Sequence, residues 1–224
     1  MGTFYAVSRS TAEAIESHYQ IKCPVIPNFI NLNHFPCHNR SKAPQEKLII
    51  ATGRLVSLKG LSSLIRAFAK VHTKIPEARL MLIGDGPEKN RLLEEVRELN
   101  VESFVEFAGL VESLKLSSLY EKAWLFVQAS IGYESFSIST LEALSSGLTA
   151  LVSSQVGIAE WFQGKDAIEI FKEGDVNELA DKIGRLLAEP WEKNRERGYK
   201  ARAIVEAEFS ADRVVKQIEA LCSE

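Results

Sequence analysis

The sequence predicts an α/β protein built on a doubly wound parallel sheet. Three observations carry that prediction. Six short apolar runs recur from about residue 46 onward, segments of helix length separate them, and the runs are mostly continuous rather than alternating. Continuous runs suit strands covered on both faces, the condition of a parallel sheet flanked by helices. Repeated strand–helix–strand alternation then gives the doubly wound, Rossmann-like arrangement, with crossovers right-handed by default. A length of 224 residues leaves room for a sizeable core.

Residues 3–8 (TFYAVS) read as a short strand and 9–19 as a helix opening at Ser8 or Ser10. The following stretch carries Pro24, Pro27, Pro36 and Pro44 among several asparagines, a turn-rich connector. The strands of the main unit are then KLIIAT (47–52), RLMLIG (79–84), FVEFAG (104–109), WLFVQA (124–129), LTALVS (148–153) and AIEIF (167–171). Helices are expected over 61–74, 87–99, 113–122, 138–146 and 175–188, and charged helical stretches over 191–208 and 211–222. A lone strand and helix cannot bury their own faces. Residues 1–45 are therefore expected to be the last strand and helix of another unit plus a linker, 46–208 one complete domain, and 209–224 a C-terminal helix.

Charge and composition exclude several classes. Lys plus Arg total 27 against 30 for Asp plus Glu, a net charge of −3. A dedicated nucleic-acid binder needs a clear cationic surplus, so no nucleic-acid partner is expected. No apolar run approaches the roughly 18 residues that span a bilayer, and MGTFYAVSRSTAEAIE lacks the pattern of a secretory signal. Cys23, Cys37 and Cys222 suit free thiols in a reducing cytosol, so a cytoplasmic location is expected. Cys23, His34, Cys37 and His38 match no common zinc spacing and read as linker residues, with no metal site expected. Lys193, Arg195, Arg197, Lys200 and Arg202 allow at most peripheral contact with an anionic membrane. The interleaved Glu192, Glu196 and Glu206 favour a solvated helix there.

Ligands of an open parallel sheet bind outside the carboxyl ends of its strands, and four segments fall there. Gly53–Gly60 (GRLVSLKG) places Arg54 and Lys59 ahead of a helix N-terminus, a setting for a phosphate or else a solvated basic turn. It is not a Walker loop, since Lys59 is not followed by Ser or Thr. Gly84-Asp85-Gly86-Pro87 reads as a strand-to-helix turn with Asp85 as N-cap and Pro87 at the first helical position. Gly109-Leu110-Val111-Glu112 offers backbone groups that a base edge can meet. Glu134 to Glu142 places two carboxylates eight residues apart around a helix start. That is too far for the roughly 5 Å pair of a retaining hydrolase, so the two address different parts of one ligand or act separately. Glu142 also fits the last position of a capping box, Ser139-Thr140-Leu141-Glu142.

GRLVSLKG, LIRAFAKV, LMLIGDGPE, VEFAGLV and Glu134-x7-Glu142, together with AVSRST and VIPNFINLNHF upstream, occur in one order and spacing over nearly the whole chain. Together they resemble the C-terminal part of the retaining, nucleotide-sugar-dependent glycosyltransferases of family four, group 1. The resemblance implies the donor-binding half of a GT-B architecture, two Rossmann-like domains facing a cleft, with a nucleoside-diphosphate sugar as donor and no metal cofactor. It matches Arg54 and Lys59 to the cations on the diphosphate, places Gly53 among the donor-binding residues, and matches Glu134 to the carboxylate beside the transferred sugar. It matches the loop Phe136, Ser137 and Ile138 to the distal phosphate, Glu142 to the ribose hydroxyls and Val111 to the backbone contact with the base. Catalytic roles fall to Glu134, Arg54 and Lys59. Three positions depart from the family pattern. Ser137 and Phe29 stand where glycine is usual, and Val156 replaces the first glycine of a pair before Ile158. Ser137 implies a loop conformation that accepts a Cβ.

The resemblance further implies an N-terminal domain outside these residues, in cis or as a partner chain in trans, that holds the acceptor. The sequence therefore reads as the donor half of a hexosyltransferase, inactive by itself and transferring to a glycan, lipid or small molecule. Two other readings stand beside it. One is a non-catalytic nucleotide-binding subunit of a split transferase. The other is a nucleotide-sugar epimerase, which would want a histidine at a strand's carboxyl end, and the sequence places none of its four there.

Overall fold

The computed structural model describes residues 4–37 and 40–222. Its sheet consists of β1 (Lys47–Thr52), β2 (Ala78–Ile83), β3 (Val105–Gly109), β4 (Leu125–Gln128), β5 (Ala150–Ser153) and β6 (Glu169–Phe171). All neighbours are parallel, in the order β3-β2-β1-β4-β5-β6. The helices are α1 (Arg9–Tyr19), α2 (Leu61–His72), α3 (Lys89–Glu98), α4 (Ser113–Lys122), α5 (Ile138–Ser145), α6 (Val176–Ala188), α7 (Trp191–Phe209) and α8 (Ala211–Cys222). The doubly wound expectation holds, and the strand order reverses between β1 and β4.

Successive strand residues face opposite sides of the sheet, and each side has its own core. Ile49, Ala51, Leu80, Leu82, Leu125 and Val127 pack under Leu64, Ile65 and Phe68 of α2 and Leu179, Ile183 and Leu186 of α6. Ile50, Ile83, Phe126, Ala150 and Val152 face Tyr120 of α4, Leu141 and Leu144 of α5 and Val205 and Phe209 of α7. Apolar residues on both faces explain the continuous runs.

The N-terminal segment departs from expectation. Of the strand expected over 3–8, Thr3 lies outside the described residues. Among the described residues the rest supplies a single bridge, Ala6 to Val25, made by Ala6 N–H to Pro24 O and Ile26 N–H to Ala6 O. The helix after it is present, with Ser8 as its N-cap accepting from Thr11 N–H at 3.2 Å. The connector is packed rather than loose: Ile30 N–H donates to the Phe209 carbonyl at 3.0 Å, and Phe35 is buried. Arg40 is buried as well. Its guanidinium donates to the carbonyls of Tyr120 (2.9 Å), Glu121 (3.2 Å) and Ala123 (2.5 Å), closing the C-terminus of α4. The same group lies 4.9 Å from the centre of the Trp191 ring.

Two further readings are corrected. Asp85 does not cap a helix at Pro87; its Oδ1 accepts from Gly86 N–H, and α3 opens only at Lys89. Backbone pairing causes the delay: Leu55 N–H donates to Asp85 O and Glu88 N–H to Leu55 O, tying this turn to the loop after β1. The basic stretch of α7 is not wholly solvated. Arg197 is buried and bonds Glu189 at 2.8 Å, and Arg202 reaches the carbonyls of Phe35 and Ser145. No helix among the described residues is long and apolar enough to cross a membrane.

Candidate functional site

The crevice of a doubly wound sheet lies outside the carboxyl ends of the strands where their order reverses, here β1 and β4. After β1 the chain passes Gly53 and Arg54, makes one 3-10 turn over Ser57–Lys59 and enters α2 through Gly60. Gly60 has φ 62°, and a Cβ there would lie 1.9 Å from the Ala129 carbonyl oxygen. A side chain at that position would push apart the loops after β1 and β4. Ile131 N–H donates to Leu58 O at 2.9 Å, a second tie between them.

That approach brings Lys59 to Glu134. Lys59 Nζ lies 2.6 Å from Glu134 Oε1, with side-chain exposures of 24% and 17%, so the pair is shielded but reachable. The second carboxylate oxygen accepts from Ser130 Oγ at 2.5 Å and from Gln128 Nε2 at 3.0 Å. Gln128 Nε2 also donates to Ser130 Oγ, and its Oε1 accepts from Ser139 Oγ of α5 at 3.2 Å. Glu134 is thus held in one orientation by charge on one side and neutral donors on the other. Arg54 stands exposed nearby, with no carboxylate partner among the described residues.

Sequence reasoning missed Gln128, Ser130 and Ser139. The signal was there: Gln128 is a polar residue closing an otherwise apolar strand, and it is buried. A buried amide at a strand's carboxyl end needs partners, and these are its partners.

The loop before α5 corrects two expectations. Ser137 has φ 87° and ψ 91°, the positive-φ backbone of a glycine rather than one that welcomes a Cβ. The strand-like segment before it is fixed, because Gly157 N–H donates to Glu134 O and Ile158 N–H to Phe136 O. The Phe136 ring is buried against Trp161 and Phe209. The helix start after it is fixed too, so the turn between them takes up the strain. Ser137 is also the N-cap of α5, its Oγ accepting from Thr140 N–H at 3.4 Å. The third helical position is therefore Thr140, and Glu142 is not part of a capping box. Positive φ costs a side chain about 1–3 kcal/mol, while serine and glycine caps differ by only a few tenths. Ser137→Gly is expected to raise stability by about 1 kcal/mol. Ser137→Ala, which keeps the strain and loses the cap, should lower it by about 1 kcal/mol. Urea midpoints measure both, and a destabilised glycine variant would reject the strain.

Glu142 sits half-buried in the second turn of α5. Burial pushes its carboxyl up to about 7. It lies close enough to Tyr120 to raise that phenol further, beyond the rise that burial already causes. Ile138 is exposed at the start of the same helix. Val111 follows β3, the edge strand, which is two strands and roughly 10 Å from β1. The structure thus places all the expected residues along one edge of the sheet. It brings Gly53, Arg54, Lys59 and Glu134 together, and sets Val111 at the far end. Of the linker residues weighed as metal ligands, His38 lies outside the described residues. Among the described residues no three His, Cys, Asp or Glu side chains gather as a metal site.

The chain matches the family model for glycosyl transferases group 1 over residues 38–204. It is similar to the N-acetyl-alpha-D-glucosaminyl L-malate synthase of Bacillus anthracis, 30% identical over 79% of this chain and 45% of that protein. It is also similar to the mannosylfructose-phosphate synthase of Agrobacterium fabrum, 36% identical over 50% of this chain and 26% of that protein. The chain thus spans less than half the length of either relative. Among solved structures, Anabaena HepE in complex with UDP and glucose superposes with a TM-score of 0.87 at 21% identity, over 99% of this chain and 63% of that one. The fold is the Rossmann-like half of a GT-B glycosyltransferase, and the chain belongs to the glycosyl transferases group 1 family.

Proposed function

We propose that the chain binds a nucleoside-diphosphate sugar along the switch-point edge of the sheet and forms the donor half of a retaining hexosyl transfer. One observation carries this reading: Lys59 and Glu134 face each other across the point where strand order reverses, with Arg54 lining the same cleft as Lys59. Arg54 and Lys59 are suited to the diphosphate, which they neutralise as it departs. The amides of Ile138 and Ser139 open α5 without intrahelical carbonyl partners and favour an anion. Glu134, already oriented by Gln128 and Ser130, turns its carboxylate to sugar hydroxyls. Glu142 accepts from the ribose and the backbone at Val111 meets the base. The UDP of the HepE complex supports a nucleotide donor, and the resemblance supports retention. Two cations with a helix start take the place of a divalent ion, so binding is expected to be metal-independent.

Transfer itself needs an acceptor hydroxyl held near attack distance, worth up to about 7–11 kcal/mol of the barrier, and exclusion of water. Glu134 approaches the sugar from one side only. We assign the facing wall to residues beyond these 224, in cis or on a partner chain, and expect this chain alone to bind donor without efficient turnover. Cys23, Cys37 and Cys222 form no disulfide among the described residues, which suits a cytoplasmic setting.

The test is a calorimetric titration with UDP, GDP and ADP, and with uridine, guanosine and adenosine. Arg54→Ala and Lys59→Ala are each expected to weaken diphosphate binding at least tenfold, about 1.4 kcal/mol, and to leave nucleoside binding nearly unchanged. EDTA should have no effect. Equal losses for nucleoside and diphosphate, or a strict need for Mg²⁺, would overturn the assignment.

A further inference from the structure

α1 is fastened to the molecule at its first turn. None of its residues is buried, whereas its cap, Ser8, is fully buried. A helix start leaves amides without intrahelical partners. Those of Arg9 and Ser10 donate to the Glu160 carboxylate at 2.6 and 3.4 Å, and the helix dipole favours a negative charge there. Beside them the Tyr133 hydroxyl meets Thr11 Oγ1 at 2.5 Å and Ser10 Oγ at 3.4 Å.

Both anchors are attached to Glu134. Tyr133 is its neighbour in the chain. Glu160 belongs to the 3-10 turn Gly157–Phe162, and the backbone entering that turn is bonded to Glu134 itself. Glu134 N–H donates to Gln155 O at 3.0 Å, and Gly157 N–H donates to Glu134 O at 2.8 Å. A Cβ on Gly157 would lie 2.2 Å from Ser135 O and 3.1 Å from Ser8 Cβ, so three distant stretches of chain meet there with no space between them.

We propose that Tyr133 and Glu160 are positioning residues, a joint through which α1 holds the backbone of Glu134 and so aims its carboxylate. A displacement of α1 reaches Glu134 through two hydrogen-bonded links, and reaches the loop after β1, with Lys59 and Arg54, only at one remove through the Ile131–Leu58 tie and the Lys59–Glu134 pair. The joint therefore tunes the sugar end of the ligand more than the diphosphate end. That consequence rests on the donor reading; the mechanical coupling does not.

Two measurements test it on the whole chain with Glu160→Gln, which keeps shape and removes charge, and Tyr133→Phe, which keeps the ring of a half-exposed residue. In residue-resolved amide hydrogen exchange of Glu160→Gln, the Arg9 and Ser10 amides should exchange at least tenfold faster. The Glu134 and Gly157 amides should follow by at least threefold in both variants, with Ile50 and Ile183 unchanged. Faster exchange at Arg9 and Ser10 with parental rates at Glu134 and Gly157 would make α1 a passenger and overturn the joint. In titrations with UDP and UDP-glucose, both variants should lose at least threefold more affinity for the conjugate than for UDP, whereas Lys59→Ala loses both. Equal losses in the joint variants would overturn the aiming of Glu134. If neither nucleotide binds the parent chain, the donor reading falls for uridine, and hydrogen exchange alone decides the joint.

Discussion

Arg40→Met is expected to lower the unfolding free energy by about 3 kcal/mol, because buried helix-end carbonyls lose a charged donor. Arg40 is 3% exposed, and burial draws its guanidinium down to about 10, still charged at neutral pH. Its desolvation is offset by the carbonyls of Tyr120, Glu121 and Ala123 and by the face of Trp191. Methionine fills comparable space but donates nothing, so the buried Ala123 carbonyl loses this donor and Tyr120 O keeps only the Ala123 N–H, a loss of roughly 1–3 kcal/mol for each buried acceptor left short. Its neighbours are bound to the same spot: the Arg40 carbonyl accepts from Trp191 Nε1 at 2.9 Å, and its N–H donates to the Tyr199 hydroxyl. A thermal midpoint about 10 °C lower is expected for a chain of this size, with Arg40→Lys recovering part of it through one restored bond. A methionine variant within 1 kcal/mol of the parent would show the connector to be held by apolar packing alone.

A second large effect depends on pH and centres on Glu142. The unfolded chain releases this proton near 4.5 and the fold near 7, because burial disfavours the carboxylate. Between those values the folded state holds a proton that the unfolded state has lost. Stability therefore falls as pH rises from about 4.5 to about 7 and stays at the lower level above it. The full difference is about 3 kcal/mol. Glu142→Gln keeps the shape and removes the ionisation, so it should stabilise the protein by about 2–3 kcal/mol at pH 8 and change little at pH 4.5. Denaturant midpoints of parent and variant at the two pH values decide it. The same gain at both would mean that the carboxylate is ionised in the fold throughout. If Glu142 accepts hydrogen bonds from ribose as proposed, the stabilised variant should also bind nucleotide more weakly, a trade of activity against stability of the usual kind.

The sequence by itself determined the sheet, its helices and the edge on which the candidate site lies. Ile49, Ile50, Leu125 and Phe126 are apolar on both faces of their strands, and that local pattern has one economical solution, a parallel sheet covered on both sides. Arg54, Lys59 and Glu134 were legible for a related reason: each follows a strand's carboxyl end, and topology turns that position into a place in space. Periodicity and chain order are local properties, so they can be read along the chain. Tertiary structure alone decided what depends on residues far apart in sequence. The Lys59–Glu134 pair joins positions 75 residues apart, and Gln128 became part of it only because burial forced its amide to find Ser130 and Glu134. Arg40 lies in the turn-rich connector, and only the tertiary fold closes the α4 carbonyls and Trp191 around it. The capping box expected at Ser139-Thr140-Leu141-Glu142 is absent: the cap is Ser137, two residues earlier, where the bonds from Gly157 and Ile158 to the preceding segment set the start of α5. The same bonds hold Ser137 at positive φ against its own preference. Local rules assign each residue its favoured conformation, and long-range hydrogen bonds and packing decide which of them must give it up.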